Sequence, residues 1–197
     1  MSSRAAAGLI LATLLAACAT QQGGALPPLD DWDTRRAVLK DVRNWGFAGR
    51  IALKSADDGF QGGLHWEQRR DYFDARVSGP LGMGTVRIAG DARAVRVTDK
   101  DGAETRLAEP EQDLQRLYGW QIPIESLRYW ALGIPDPRFP ADTQFAEDGT
   151  LSTMQQAGWQ VRIDRYRPGG GQMMPRRLKA SRDSAQVTLV IDRWTFR

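Results

Sequence analysis

The sequence predicts a single, mainly β domain: an incomplete, open antiparallel barrel of about 11 strands with about three helices against its mouth. Three observations lead to this prediction. Short runs of alternating apolar and polar residues recur between turn signals, helical stretches precede and interrupt these runs, and no linker divides the chain after residue 29. A sheet of that many strands tends to curl, and its edges are safest when closed or covered.

The composition of the 197 residues is that of an ordinary globular domain, with 42% hydrophobic and 26% charged residues. It excludes disordered, collagen-like and coiled-coil classes. The chain has one cysteine, Cys18, and one histidine, His65. These two residues alone provide neither a disulfide nor a structural zinc site nor a common catalytic set, so we predict no metal, no cofactor and no catalytic residue.

Residues 1–17 predict a signal peptide. Arg4 supplies a positive charge, and the uncharged stretch that follows is shorter than the ~20 apolar residues that a spanning helix needs. The stretch ends in Leu15-Ala16-Ala17-Cys18, which resembles a bacterial lipobox. The resemblance implies cleavage before Cys18 and lipidation of its sulfur and new amine, and these acyl chains would hold the domain on a membrane. The alternative is an ordinary cleavage that leaves a free thiol. The residue after Cys18 is Ala19 and not the Asp that resembles an inner-membrane retention signal. This favours the outer membrane.

Residues 18–29 are small, polar and rich in Pro and Gly, and they predict a flexible tether to a folded domain over residues 30–197. Asp30 and Asp31 are suited to cap a helix over residues 32–44.

From Phe47 the hydrophobic period changes to two, as in Phe73, Ala75 and Val77. Turn residues such as Asp101-Gly102 separate the runs. The strands predicted in this first half are 47–54, 60–68, 71–78, 84–89, 93–98 and 104–107.

Prolines delimit two helices in the middle of the chain. Pro110 begins one that runs to about Leu117, and Pro123 begins another that stops at Gly133. Three further prolines exclude regular structure in the loop that follows. The second half then predicts strands near 143–147, 150–156, 159–167, 176–182 and 185–196.

The C-terminal region is basic. Residues 162–197 carry nine Lys/Arg against three Asp/Glu, whereas residues 18–161 are net acidic. Such a region attracts anionic lipid headgroups or an acidic partner. The alternative is a solvated outer face of β-strands, because the arginines are spread out. No compact basic run with stacking aromatics occurs, so we predict no nucleic-acid binding.

The seven tryptophans individually predict core packing, but several lie in ordered motifs. These motifs are Trp45-Gly46-Phe47-Ala48-Gly49-Arg50-Ile51-Ala52, Gly63-Leu64-His65-Trp66, Gly79-Pro80-Leu81-Gly82, Gly119-Trp120-Gln121-Ile122-Pro123, Gln156-Ala157-Gly158-Trp159 and the stretch from Pro175 to Leu178. Their order and spacing, together with the lipobox, resemble the LolB family of outer-membrane lipoprotein receptors. Ile163 departs from the family pattern, in which this position is often aromatic. The related carrier LolA is soluble, so the lipobox distinguishes this sequence from LolA.

The resemblance implies helices that cover a hydrophobic cavity. This cavity would receive the acyl chains of lipoproteins from LolA, and the protein would release them into the inner leaflet of the outer membrane. We expect a monomer on the periplasmic face of that membrane. No ATP is expected, and no G-x-x-x-x-G-K-[ST] loop occurs. A cavity that covers only part of the chains binds them less strongly than a bilayer, since each buried methylene contributes ~0.8 kcal/mol.

The turn Gly79-Pro80-Leu81-Gly82 places Leu81 at its tip, with Pro80 and Gly82 at positions favoured in a type I turn. The resemblance implies that this loop protrudes and that Leu81 contacts the membrane. A lone surface leucine is the alternative. The candidates for the cavity lining, each of which is alternatively plain core, are Trp66, Phe73, Val86, Ile88, Trp120, Leu127, Trp130 and Val161. Strand parity stays open, because a shift of one residue moves every side chain to the other face. His65 is expected on the face opposite Trp66.

Two other functions stay open. A lipid-anchored, lipocalin-like protein that binds a small hydrophobic ligand would share the barrel and the anchor. A cell-wall hydrolase would need two carboxylates about 5 to 9.5 Å apart in a cleft. The aspartate pairs at 30/31, 57/58 and 99/101 lie in predicted turns or caps, where structural aspartates are common.

Overall fold

The computed structural model describes residues 24–56, 59–79 and 84–197. Its helices are α1 (Trp32–Asp41), α2 (Pro110–Tyr118) and α3 (Ile124–Leu132). Its strands are β1 (Asn44–Lys54), β2 (Gly59–Arg69), β3 (Tyr72–Ser78), β4 (Thr85–Gly90), β5 (Val95–Thr98), β6 (Glu104–Leu107), β7 (Ala141–Phe145), β8 (Leu151–Gln156), β9 (Trp159–Gly169), β10 (Gln172–Arg182) and β11 (Ala185–Phe196).

All 11 strands belong to one antiparallel sheet with the order β6-β5-β4-β3-β2-β1-β11-β10-β9-β8-β7. The chain enters this sheet at its centre, where β1 pairs with both β2 and β11. The sheet is open, and its outer strands β6 and β7 are joined along the chain by α2 and α3. The predicted open antiparallel barrel of about 11 strands with three helices is therefore confirmed.

Burial alternates along the strands and creates one apolar interior. In β3, Phe73, Ala75 and Val77 are buried, while their neighbours Asp74 and Arg76 lie on the outer face. Alternating residues of β11 are buried in the same way. These inner faces join residues of all three helices in a single hydrophobic cluster, as expected when one face of a sheet is covered.

Two glycines allow neighbouring backbones to approach closely where the sheet curls. The register of β1 against β11 shifts between Ala48 and Gly49. A Cβ atom at Gly49 would lie 2.1 Å from the Val190 carbonyl oxygen, and one at Gly62 would lie 2.2 Å from that of Ser78. Since no side chain fits at these distances, glycine is required at both positions.

The element boundaries follow the predicted signals with local differences. Helix α1 ends at Asp41 and not at 44, because Val42 is extended. Gly133 adopts the left-handed conformation that ends α3, as its position after the helix predicted. Strand β10 begins at Gln172 and continues through Pro175, where the register shifts. A proline is tolerated there because such a bulge lacks one ladder hydrogen bond.

The second half of the predicted tether is docked and differs from the flexible chain expected. The Leu26 amide donates to the Gly170 carbonyl over 2.8 Å, and the Leu26 side chain is buried in the core cluster. The Leu29 amide donates to the Gln172 side chain over 3.3 Å. The composition predicted a flexible segment, but Leu26 packs in an apolar site beside the turn between β9 and β10.

Candidate functional site

The structure brings all eight predicted cavity residues to the apolar interior between the helices and the sheet. Six of them are at most 4% exposed, and Val86 and Trp120 are half-buried against the same cluster. The sheet contributes residues of β2, β3, β4 and β9, and α3 contributes Leu127 and Trp130. The structure therefore decides which face of each strand points inward. Contact of these residues with acyl chains stays a prediction.

An aromatic cluster extends this interior beyond the predicted residues. The ring of Trp66 stacks on those of Phe47 and Phe73, with centroid distances of 6.1 and 5.1 Å. Trp45 and Trp194 pack beside them. The Trp66 indole N–H is buried and has no acceptor among the described residues. Trp45 and Phe47 were not among the predicted cavity residues, although their spacing of two along β1 places both side chains on one face of the strand.

Gln156 fastens α3 to the end of β8. Its side-chain oxygen accepts from the Trp130 indole and from the Asp136 amide, both over 2.8 Å. Its side-chain nitrogen donates to the carbonyl oxygens of Asp136 and Phe139 over 3.0 and 2.9 Å. All four hydrogen bonds that this amide offers are used, so α3 and the loop after it are held to the sheet.

Asp136 extends this network. It accepts from the Ser126 hydroxyl over 2.9 Å and from Arg138 over 2.6 Å, and Arg138 also pairs with Glu125 at the start of α3. Burial alone would raise the pKa of Asp136, but the hydrogen bonds from Arg138 and Ser126 outweigh it and hold the pKa below its ordinary value. A charged carboxylate therefore stabilises the loop at neutral pH.

Helix α1 is attached in a different way. It buries Leu39 and Arg35, and Trp32 makes an edge contact with Phe145 at the end of β7. In the described part of the chain, its one side-chain hydrogen bond to the sheet joins Arg35 to the Met174 thioether over 3.7 Å. Desolvation lowers the pKa of Arg35. The attachment of α1 is thus mainly apolar.

A groove of about 450 Å³ separates α1 from the loop that follows α3. Apolar side chains such as Trp32, Ile134 and Phe139 line it, and Arg36 and Lys40 add positive charge. None of the hydrogen bonds of Gln156 crosses this groove, because they join α3, the loop after it and β8.

The predicted attachment residues Cys18, Pro80, Leu81 and Gly82 lie outside the described residues. The loop that contains Leu81 is bounded by a hydrogen bond from the Gly79 amide to the Gly84 carbonyl, over 3.1 Å. This pair lies at the end of the sheet where β3 passes into β4.

The remaining predicted residues have structural roles. His65 is exposed on the outer face, opposite Trp66. Asp31 caps α1 by accepting from the Thr34 amide, and Asp99 accepts from two amides of its own turn. Positions 57 and 58 lie outside the described residues.

The described ranges 24–56, 59–79 and 84–197 contain no group of three or more His, Cys, Asp or Glu residues placed to hold a metal ion. None of their helices combines the length and the apolar character needed to cross a membrane.

Comparisons with known proteins agree with this architecture. The model of the family described as "Outer membrane lipoprotein LolB" matches residues 43–194. The outer-membrane lipoprotein LolB of Pseudomonas fluorescens is 33% identical over 187 residues, covering 92% of this chain and 90% of that protein. The LolB of Pseudomonas paraeruginosa is 32% identical over 163 residues, covering 83% and 80%.

Among solved structures, a LolA superfamily protein from Nitrosomonas europaea superimposes with a TM-score of 0.57 at 9% identity. The match covers 84% of this chain and 93% of that one, and it supports the fold alone. The family model spans most of the chain, and the relatives match over most of their own length. The chain therefore belongs to the LolB family of outer-membrane lipoproteins.

Proposed function

We propose that the protein receives lipoproteins from the periplasmic carrier LolA, holds their acyl chains between its helices and its sheet, and inserts them into the inner leaflet of the outer membrane without ATP. It acts as a carrier and not as an enzyme. Membership of the LolB family supports the role in lipoprotein localisation at the outer membrane.

One observation carries the proposal most directly: the sheet ends at β6 and β7, and the chain between these two strands forms α2 and α3. A closed barrel would have to break strand pairs to admit a chain into its interior. Here helices can move outward while every ladder of the sheet stays intact. The interior that they cover is apolar and continuous, which suits hydrocarbon chains.

Side chains such as Ile88 and Trp130 are fully buried in the described conformation, so acyl chains enter by displacing helices and packed side chains. This displacement opposes binding and limits the affinity for the chains. A bilayer covers the whole chain, and each further methylene contributes ~0.8 kcal/mol. Transfer toward the membrane is therefore downhill.

A three-component transfer experiment tests the proposal. Purified LolA carrying a labelled lipoprotein is mixed with the mature protein lacking its lipid, and liposomes are then added. Label should move first to this protein and then into the liposomes. Label that stays on LolA at every protein concentration would refute the proposal.

The same preparation distinguishes the two alternatives. A tightly co-purifying small molecule, with no exchange from LolA, would favour a lipocalin-like binding protein. Turnover of peptidoglycan by the purified domain would favour an enzyme.

A further inference from the structure

Arg35 is a charged residue that α1 buries with no acidic partner among the described residues. Only 5% of its surface is exposed, and its Nε atom has no hydrogen-bond acceptor among the described residues. Its neighbours are the Met174 thioether, 3.7 Å from one terminal nitrogen, and the Tyr166 ring, whose centre lies 5.6 Å from the guanidinium carbon. The guanidinium is thus short of acceptors.

This arrangement opposes folding, because a thioether and an aromatic ring do not replace the water that the guanidinium loses. The next residue shows the ordinary alternative, since Arg36 is exposed and pairs with Asp33 at 3.4 Å. A buried donor that is left unsatisfied in a native structure requires a specific explanation. A ligand that brings its own acceptor provides one.

The surroundings restrict the chemistry of that ligand. Leu39 and Met174 are at most 1% exposed, so a hydrated anion would lose its water there and gain only the guanidinium as a donor in return. An acyl chain instead carries a carbonyl oxygen at one end of a hydrocarbon. Methionine side chains are flexible and sulfur is a weak acceptor, so Met174 can yield its place to such an oxygen.

We propose that Arg35 donates hydrogen bonds to an acyl carbonyl oxygen of the lipid bound beneath α1, and thereby sets the depth to which the chains enter the interior. The inference rests on the proposed function and specifies the polar contact of the same site. The binding role of Arg35 follows from its missing hydrogen-bond acceptor and not from its burial alone.

The test compares two synthetic lipopeptides with identical chains and peptide. In one, both chains are ester-linked to the glyceryl-cysteine, and in the other they are ether-linked and lack carbonyl oxygens. The wild-type protein should bind the ester form about tenfold more tightly, the effect expected for a hydrogen bond to a charged group. The Arg35→Met variant should bind both forms equally.

Arg36→Met is the matched control, since it removes an exposed arginine one position away and should keep the ester preference. Met is a good helix former of similar length, and thermal melts will verify that both variants fold. A preserved tenfold preference in folded Arg35→Met would overturn the inference, as would equal binding of both forms by the wild-type protein. If the wild-type protein binds neither form, the proposed function fails and this inference fails with it.

Free palmitate distinguishes the source of the oxygen. It is compared with methyl palmitate, which has the same chain and an ester carbonyl. If methyl palmitate displaces the ester lipopeptide from the wild-type protein at least as well as palmitate does, the acyl ester is supported as the source. If palmitate displaces it better from the wild-type protein but not from Arg35→Met, Arg35 selects a free fatty acid and the assignment to an acyl ester is overturned.

Discussion

The two ends of the sheet are held in different ways. The anchor end comprises the C-terminus, the turn at residues 170–171 and the docked segment 24–29. The loop end comprises the β3–β4 connection and Gln156 at the end of β8. A saturated set of hydrogen bonds fastens α3 at the loop end, whereas the docked segment 24–29 is held by Leu26 in the core, by the half-buried Leu29 and by the two hydrogen bonds of their amides. The anchor end is therefore the easier of the two to release.

The described residues that flank the two predicted membrane attachments lie at these opposite ends: Gly79 and Gly84 bound the loop, and Gly24, the first described residue after Cys18, lies beside Arg197. Strand β2 has 11 residues, which span about 36 Å at about 3.3 Å per residue, or about 28 Å along the axis of a tilted barrel. From Gly24 to Cys18 the chain reaches at most about 20 Å. If Cys18 carries a lipid and Leu81 contacts the same membrane, as the family resemblance implies, a barrel with residues 24–29 docked has to lie along that membrane. We infer that a barrel standing on its loop end first releases the segment.

The largest expected effect is on the loop end. Gln156→Met should leave the Trp130 indole and the Asp136 amide without their acceptor, because a thioether does not replace the amide oxygen. We expect the free energy of unfolding to fall by about 3 kcal/mol in urea denaturation. Gln155→Met is the control, since Gln155 is exposed on the same strand. Equal effects of the two substitutions would show that α3 is held by packing alone.

Leu81→Glu should impair delivery without impairing uptake. Burial of a leucine in a membrane contributes roughly 1.5 to 3 kcal/mol, so the rate of label transfer into liposomes should fall about tenfold or more. Transfer from LolA to the protein should be unchanged. The matched control is Leu117→Glu, which alters a leucine of α2 that is 44% exposed. Normal delivery by Leu81→Glu would contradict the proposed role of the loop in membrane contact.

Leu26→Asp should release the docked segment and lengthen the free chain behind the lipid. For the lipidated protein in membranes we expect delivery to become a few-fold faster, and for the protein without lipid we expect no change. Ala25→Asp adds the same charge at an exposed position and should have no effect. Unchanged delivery by the lipidated Leu26→Asp variant would favour a barrel that lies along the membrane.

The smallest effect concerns pH. Because the pKa of Asp136 is lowered from its ordinary value of 3.8, its charged form stabilises the fold above that value. This contribution is lost as pH falls through the lower pKa of the folded state. The difference in unfolding free energy between the wild-type protein and Asp136→Asn should therefore shrink on acidification. Asp142→Asn, which removes a carboxylate at an exposed position of β7, is the matched control.

Local signals determined much of the architecture. Alternation with a period of two identified the strands, and Pro110 and Gly133 marked helix boundaries. Seven of the eight cavity candidates reached one interior because each is a large apolar residue on an element with one buried face, and Trp120 reaches it from the connection between α2 and α3. The lipobox and the tryptophan motifs carried the family resemblance. These features depend on residues near one another in the chain, so they can be recognised in the sequence.

The tertiary structure alone decided the remaining features, because each depends on residues distant in the chain. Leu26 docks on Gly170, Gln156 bonds to Trp130, and Arg35 reaches Met174 across 139 positions. A leucine in a Pro/Gly-rich segment, a glutamine at a strand end and an arginine in a polar helix all have ordinary exposed roles. Folding assigned them buried ones, since burial of a side chain is decided by the surfaces that meet around it.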